Sequence, residues 1–356
     1  MIRHAEAEGN IYRRAHGQFN GQIIGRGFSQ IEQLRERFLN EKIDAVYSSD
    51  LDRTVATAAA LSEPRGLPVN TTQDLREVKM GEWEDIAWGD IRHDSLAMAE
   101  LFGCDPARWN NAGSEDYGRV RERMINCLRD IGRRHEGGAV AVFSHGFAIR
   151  ALTCELMGIP SNKTDLVPYC DNTAVALLLF EDGKFTIEYQ RDNSHLQNGA
   201  STFARQTWWR DKKEYKSEDL RYMPADDKRD ADILEMCLRE ETCSNEKCSV
   251  PNTDFKLAAF LEDVPTGILG MDIDRDGGDG IGWISQIYIK PELRRMYYGV
   301  QLLGQAVSVY RKKHRERLRL EAAADSPAIH FCDKYGFIKI SEKRSLCVME
   351  KNIRNW

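Results

Sequence analysis

Apolar positions in the first 200 residues follow a repeating alternation of strand-like and helix-like runs. IDAVYSS (43–49) predicts a strand and LDRTVATAAALSE (51–63) the helix after it; GAVAVFSH (138–145) and GFAIRALTCELMG (146–158) repeat the pair. That order predicts βαβ units and a parallel sheet. The run 139–143 is apolar at every position, as expected of a strand covered by helices on both faces. TAVALLLF (173–180) and FTIEYQR (185–191) meet at Glu181-Asp182-Gly183-Lys184 and predict a hairpin. From about residue 206 to 229 the chain is highly charged, with paired Trp208 and Trp209 and then Pro224, and reads as a connector whose tryptophans seal the junction. Beyond it the pattern predicts a helix at 230–240, strands at 255–261, 267–273 and 284–290, a long helix at 299–314, a strand at 318–323 and a closing helix at 327–335. The expected organisation is a domain over 1–205, a connector over 206–225 and a second domain over 226–356.

Composition supports two ordinary domains. A chain of 356 residues exceeds what one core usually serves, and 42% hydrophobic with 30% charged residues is typical of globular proteins. The longest apolar runs, such as 174–180, are strand-length, so no membrane span is expected. The N-terminus carries no basic region followed by an apolar stretch, which leaves a cytoplasmic location as the default. A net charge of −6 argues against broad nucleic-acid binding. None of the nine cysteines forms a CxxC pair, so no structural zinc is expected. Cys243 and Cys248 are close in sequence, but free thiols are expected in a reducing cytosol.

Candidate chemistry lies at the predicted strand ends. Phosphoryl transfer through histidine needs a neutral imidazole, cations around the phosphate and an acid for the leaving oxygen. Arg3-His4 follows a stub of strand, Arg53 opens the helix after strand 43–49, and His145 ends strand 138–145. In a parallel sheet all three project from the carboxyl edge, where open α/β folds place ligands. RHAEAEGN (3–10), YSSDLDRTVATA (47–58), LREVKMGEWED (75–85) and VFSHGFAIRAL (142–152) together resemble the histidine phosphatase superfamily, in family order. GRGFSQ (25–30), AGSEDYGRVRER (112–123) and RDNSHL (191–196) extend the resemblance over nearly all of residues 1–200.

The resemblance implies a phosphoglycerate mutase-like three-layer α/β/α fold in which His4 carries the phosphoryl group. Arg3, Arg53 and His145 would hold the phosphate oxygens, Asn10 would assist, and Glu77 would donate and then accept the proton. Guanidinium forks suit phosphate oxygens, and no metal ion is then needed. Family members begin with several apolar residues before the Arg-His pair, whereas in this chain only Met1 and Ile2 precede it. The expectation is a start upstream of Met1 or a loosened core. His195 reads as structural, and Gly17-Gln18 as part of a loop over the pocket. Trp83, Trp88 and Trp109, with segment 86–112, either select the substrate or belong to the core. The GEWED block looks more like the phosphatase branches than the mutases, so hydrolysis is expected.

A second constellation lies at 284–307, where a strand passes through a basic, glycine-bearing turn into an amphipathic helix. Amides at such a helix start can cradle pyrophosphate. With LRLEAAADSPAIHFCDKYGF (318–337) following, the second half resembles the GNAT acetyltransferases, an α/β fold. The resemblance implies acetyl-CoA along Ile287, Tyr288 and Ile289, with its phosphates near Arg294, Arg295, Tyr297, Tyr298, Gly299 and Val300, and with Asp325 nearby. The first glycine of the usual turn is Tyr297, and Cys332 stands where a tyrosine commonly protonates the thiolate; Cys332 or Tyr335 would serve as the acid. Glu321 and Asp272 are the candidates for the base. The leading expectation is a bifunctional enzyme acting on a small phosphorylated metabolite and a small amine. The alternatives are a phosphatase or mutase whose second domain binds acyl-CoA or a nucleotide without turnover, and a pair of scaffolds.

Overall fold

The computed structural model describes residues 1–206, 218–243, 255–343 and 345–354. The expected tryptophan seal at 208–209 and the free thiol expected at Cys248 fall on residues outside these. The elements are β1 (Ile2–Arg3), α1 (Glu8–Tyr12), α2 (Gly25–Arg37), β2 (Ala45–Ser49), α3 (Asp52–Ser62), β3 (Val69–Thr72), α4 (Trp88–Asp94), α5 (Leu96–Cys104), α6 (Tyr117–Arg134), β4 (Val140–Ser144), α7 (Gly146–Met157), β5 (Val175–Glu181) and β6 (Lys184–Asp192). There follow β7 (Leu220–Pro224), α8 (Ala231–Cys243), β8 (Phe255–Leu261), β9 (Val264–Asp272), β10 (Ile281–Ile289), α9 (Tyr298–Lys312), β11 (Arg317–Ala323), α10 (Pro327–Lys334), β12 (Ile338–Lys343) and β13 (Leu346–Asn352).

Among the described residues the strands form a six-stranded sheet, ordered β3-β2-β4-β1-β5-β6, and a seven-stranded sheet, ordered β12-β13-β11-β10-β9-β8-β7. In the first, β3, β2, β4 and β1 run parallel, and the β5–β6 hairpin packs on β1 through an antiparallel pairing. β4 is apolar over 140–143 because it sits inside the sheet: Ala141, Val142 and Phe143 are all buried. Ile2, Val46, Phe143 and Val175 form a core with Ile31, Leu34 and Leu61 from α2 and α3. At the hairpin turn Asp182 has φ +49° and Gly183 φ +76°, the paired left-handed conformation that matches strand twist. β1 contributes only two residues, yet it is central, pairing parallel with β4 and antiparallel with β5. It therefore delivers Arg3, and His4 directly after it, to the carboxyl edge shared by β2 and β4.

The chain clusters into two units. One comprises Met1–Asn10, Ala15–Ile86 and Asp94–Tyr215; the other Ile11–Arg14, Ala87–His93 and Lys216–Trp356. In the second unit β10 and β11 are the parallel pair, in register from Ile281↔Arg317 to Ile284↔Leu320, and all other pairings are antiparallel. Beyond Ile284 the register of β10 against β9 shifts, and β11 continues against β13 alone. Ile233 and Cys237 of α8 pack on Ala258, Phe260, Ile268 and Tyr288. Asp219 is buried in this unit, paired with Arg13 at 2.6 Å and with Arg92. Strands β7, β12 and β13 were not among the sequence expectations. No helix among the described residues is long and apolar enough to cross a membrane.

Candidate active site

His4 is 5% exposed, and its Nδ1 lies 2.7 Å from the Ala5 carbonyl oxygen. A carbonyl only accepts, so Nδ1 carries the ring proton and the lone pair sits on Nε2. Burial, then the charges of Arg53 and Arg3, hold the His4 pKa well below its ordinary 6.5, which keeps the ring neutral. The His4 amide donates to the Ser144 carbonyl at 3.0 Å, fixing the residue to the end of β4.

Three cationic or imidazole side chains converge on it. The His145 ring centroid is 5.2 Å from that of His4. His145 is fully buried, and burial with the Arg53 charge lowers its pKa well below 6.5. Its Nε2 is 2.8 Å from Ser49 Oγ, whereas its Nδ1 is buried without a partner. A Ser49 hydroxyl that donates to Nε2 leaves Nδ1 as the protonated nitrogen. Arg53, also fully buried, donates from Nη1 to the Phe19 carbonyl (2.8 Å) and from Nη2 to the Gly17 carbonyl (2.7 Å), and its Nε has no partner. Burial lowers its pKa to about 10, still far above neutrality. Arg3 donates from Nη1 to the Cys170 carbonyl at 2.6 Å, and its Nε is likewise buried and unpartnered. A Cβ on Gly146 would come within 3.2 Å of that Nε, so glycine leaves the guanidinium room to lie close against the start of α7. Buried nitrogens seldom go unbonded, and these three on Arg3, Arg53 and His145 are donors suited to one anion.

Glu77 lies where the loop before segment 81–83 meets α7. Its Oε1 accepts from the Val78 and Ala148 amides at 3.0 and 2.9 Å, and its Oε2 from the Phe147 amide at 3.0 Å. The Glu77 side chain thus caps the helix that His145 opens. Asn10 uses Oδ1 to accept from the Ala7 amide at 2.9 Å, closing its loop. Gln18 ties the covering loop down: its amide donates to Glu84 at 3.1 Å and its Nε2 to the Glu77 carbonyl at 3.1 Å. Sequence reasoning missed Ser49 and Arg123. Ser49 is the last residue of β2, facing His145, and its place at a carboxyl strand end was the signal that could have found it. Arg123 pairs with Glu115 at 2.7 Å and donates to the carbonyls of Asp74, Arg76 and Glu77, which anchors the Glu77 backbone. Its signal was the RVRER block.

Two of the three tryptophans belong to the core. Trp83 and Trp109 are 7% and 5% exposed and pack with Phe102, whose ring stacks on Phe147 at 4.7 Å. Trp88 belongs to the segment 87–93 of the second unit, with Arg92 over its ring.

In the second unit Tyr297 is the residue before α9, with φ +65° and no side-chain cap on the helix start. Arg295 also has positive φ, +63°, and is exposed; Arg294 donates from Nε to the Ile289 carbonyl at 2.9 Å. Tyr288, Ile289, Tyr298 and Val300 are buried, Ile287 and Gly299 half-buried, and Asp325 exposed. Cys332 is 1% exposed, and burial pushes its thiol up to about 12. Tyr335 is half-buried, its ring 4.9 Å from Phe331. Glu321 is engaged by Arg275 at 2.6 Å, and Asp272 accepts from the Arg275 amide at 3.1 Å. Among the described residues no cluster of three or more His, Cys, Asp or Glu side chains could hold a metal ion.

Residues 1–193 match the family described as the histidine phosphatase superfamily (branch 1), and residues 207–337 the acetyltransferase (GNAT) family. The chain is similar to phosphoserine phosphatase 1 of Hydrogenobacter thermophilus, with 27% identity over 55% of this chain and 92% of that protein. It is similar to phosphoglycerate mutase-like protein 4 of Arabidopsis thaliana, with 30% identity over 55% and 86%. Among solved structures it is similar to Bacillus stearothermophilus YhfR, with a TM-score of 0.53 and 26% identity over 55% of this chain and 96% of that one.

Proposed function

The chain belongs to the histidine phosphatase superfamily and carries a GNAT-family domain, and from that premise we propose that it hydrolyses a small phosphomonoester through His4 and transfers an acetyl group from acetyl-CoA to a small amine. The observation that carries the first half is the conjunction of a neutral His4, its proton confined to Nδ1, with three unpartnered buried nitrogens around it.

Nε2 attacks phosphorus in line, an N–P bond forms as the ester P–O bond breaks, and the leaving oxygen takes a proton from the Glu77 carboxyl. Oε2, with one amide on it against two on Oε1, has room for that proton. Water then attacks phosphorus and gives a proton back to Glu77; the N–P bond breaks and inorganic phosphate departs. Arg3, Arg53 and His145 neutralise the charge on the transferring group, and removing one such donor costs about 100- to 1,000-fold in rate. Hydrolysis is favoured over mutase chemistry by the GEWED block, although the relatives' names include both a phosphatase and a mutase-like protein.

For the second half, the amides at the start of α9 and exposed Arg295 would hold the phosphates of acetyl-CoA, with the acyl arm along β10. When bound, acetyl-CoA supplies a thioester carbonyl for an amine to attack. The left-handed helix start with no capping side chain fits an oligophosphate. A second reading, binding without turnover, is favoured by the Tyr297 side chain at that turn and the buried Cys332 thiol. Phosphoserine, the substrate in one relative's name, is itself a phosphorylated amine, so that class is the first to screen.

Phosphate release and CoA release from p-nitrophenyl phosphate and a panel of phosphorylated amines test both halves. His4→Ala should lower phosphate release at least about 1,000-fold; hydrolysis that survives the substitution overturns the phosphohistidine reading. Acetyl-CoA binding with no CoA release on any amine selects the binding-only reading.

A further inference from the structure

Thr173, a fully buried β-branched residue, has φ +58°, in the left-handed region such side chains rarely adopt. Its amide sits against the nucleophile's main chain, 3.2 Å from the Arg3 carbonyl and 3.4 Å from the His4 carbonyl. Asn172, also fully buried, donates from Nδ2 to the same His4 carbonyl at 2.9 Å. Two consecutive residues at a strained turn thus grip the backbone that presents the imidazole.

A directional series of hydrogen bonds holds the turn. Arg37 Nη1 is 3.2 Å from His195 Nδ1, and a guanidinium only donates, so Nδ1 accepts. Burial and the Arg37 charge push the His195 pKa down to about 4, so the ring is neutral and its one proton is on Nε2. Nε2 is 3.1 Å from Thr173 Oγ1 and therefore donates to it, and the Thr173 hydroxyl passes its own proton to the Asn172 carbonyl at 2.7 Å. Arg37 is itself fixed by Asp192 at 2.6 Å. Every bond in this series runs in one direction, from Arg37 to the turn.

We propose that Thr173 and His195 are positioning residues for His4: His195 locks the strained turn at 172–173, and the turn sets where the nucleophilic nitrogen lies relative to Arg3, Arg53 and His145. This rests on His4 as the phosphoryl acceptor. Strain retained beside a reacting group, and relieved nowhere along a fully bonded series, is the signature of a geometry kept for chemistry and not for stability.

Glycine separates the two roles, because it adopts φ +58° without cost and lacks the hydroxyl. In the full-length chain Thr173→Gly should keep or raise Tm while lowering kcat on p-nitrophenyl phosphate about 10- to 100-fold, with KM within about twofold. His195→Ala should lower kcat comparably, and His195→Gln, whose amide can both accept from Arg37 and donate to Thr173, should restore it to within about threefold. Thr173→Gly combined with His195→Ala should be no slower than the worse single variant. Wild-type kcat in Thr173→Gly, or His195→Ala losing kcat only in step with Tm and without rescue by glutamine, overturns the proposal. His4→Ala in parallel keeps the two ideas apart: if it retains activity, the acceptor assignment fails, whatever the turn variants do.

Discussion

The acid–base behaviour of three buried side chains near the pocket can be separated by sign. His4 and His145 have pKa values held below 6.5, so each contributes stability that is present above about pH 6.5 and is lost as pH falls through its folded value. Glu6 behaves in the opposite sense. Burial pushes its carboxyl from 4.5 up to about 7, against the pull of Arg26, because the nearest guanidinium nitrogens of Arg26 and Arg205 are 3.3 and 3.6 Å away. Its contribution is complete below about pH 4.5 and is withdrawn as pH rises through about 7. Thermal melts across pH 5 to 8 should therefore show Glu6→Gln gaining on the wild type as pH rises, and His145→Asn losing less than the wild type as pH falls. A Glu6→Gln curve parallel to the wild type removes the first assignment. A His145→Asn curve parallel to it removes the second.

At the scale of elements, the start of α9 holds a tyrosine where backbone geometry asks for glycine. A left-handed non-glycine residue costs roughly 1–2 kcal/mol, part of which glycine returns to the unfolded chain as entropy. Tyr297→Gly should raise Tm modestly and, by clearing the side chain from the helix start, tighten acetyl-CoA measured by calorimetry. Unchanged affinity with raised Tm would mean that the side chain lies clear of the ligand. Legibility from sequence divides along similar lines. β2, α3, β4, α7 and the β5–β6 hairpin were readable because each has a strong local signature: a buried apolar run, a helix after a strand, an Asp-Gly turn. β12 and β13 were not. Ile338 and Ile340 of β12 are exposed edge residues, and the β13 pattern is partly polar, so neither strand carries a clear period. Arg3, His4 and His145 were legible at strand ends and Arg53 in the first turn of the helix that follows one, whereas Asn172 and Thr173 act through main-chain contacts that spacing does not encode. Trp83 and Trp109 show the reverse: conspicuous in sequence, they fill a core.

For the molecule as a whole, the second unit draws on three stretches of chain, and sequence order gave no hint that 11–14 and 87–93 cluster with 216–356. Asp219 binds these stretches through Arg13 and Arg92, with its side chain wholly buried. Removing one partner of a buried ion pair leaves the others uncompensated and costs roughly 3–5 kcal/mol. Asp219→Ala should thus lower the stability of the second unit by about that amount in urea unfolding. A loss under about 1 kcal/mol, as for a surface pair, would show that the arginines find other acceptors.

The hydrogen bond from His4 Nδ1 to the Ala5 carbonyl also has a chemical consequence outside energetics. Imidazole can be phosphorylated at either nitrogen, giving two regioisomers, and a ring whose Nδ1 is occupied offers only the other. The trapped intermediate should consist of the Nε2-linked isomer alone, which isomer-specific antibodies or phosphorus NMR of the quenched enzyme can distinguish. Any Nδ1-linked product would mean that the ring turns over during the reaction.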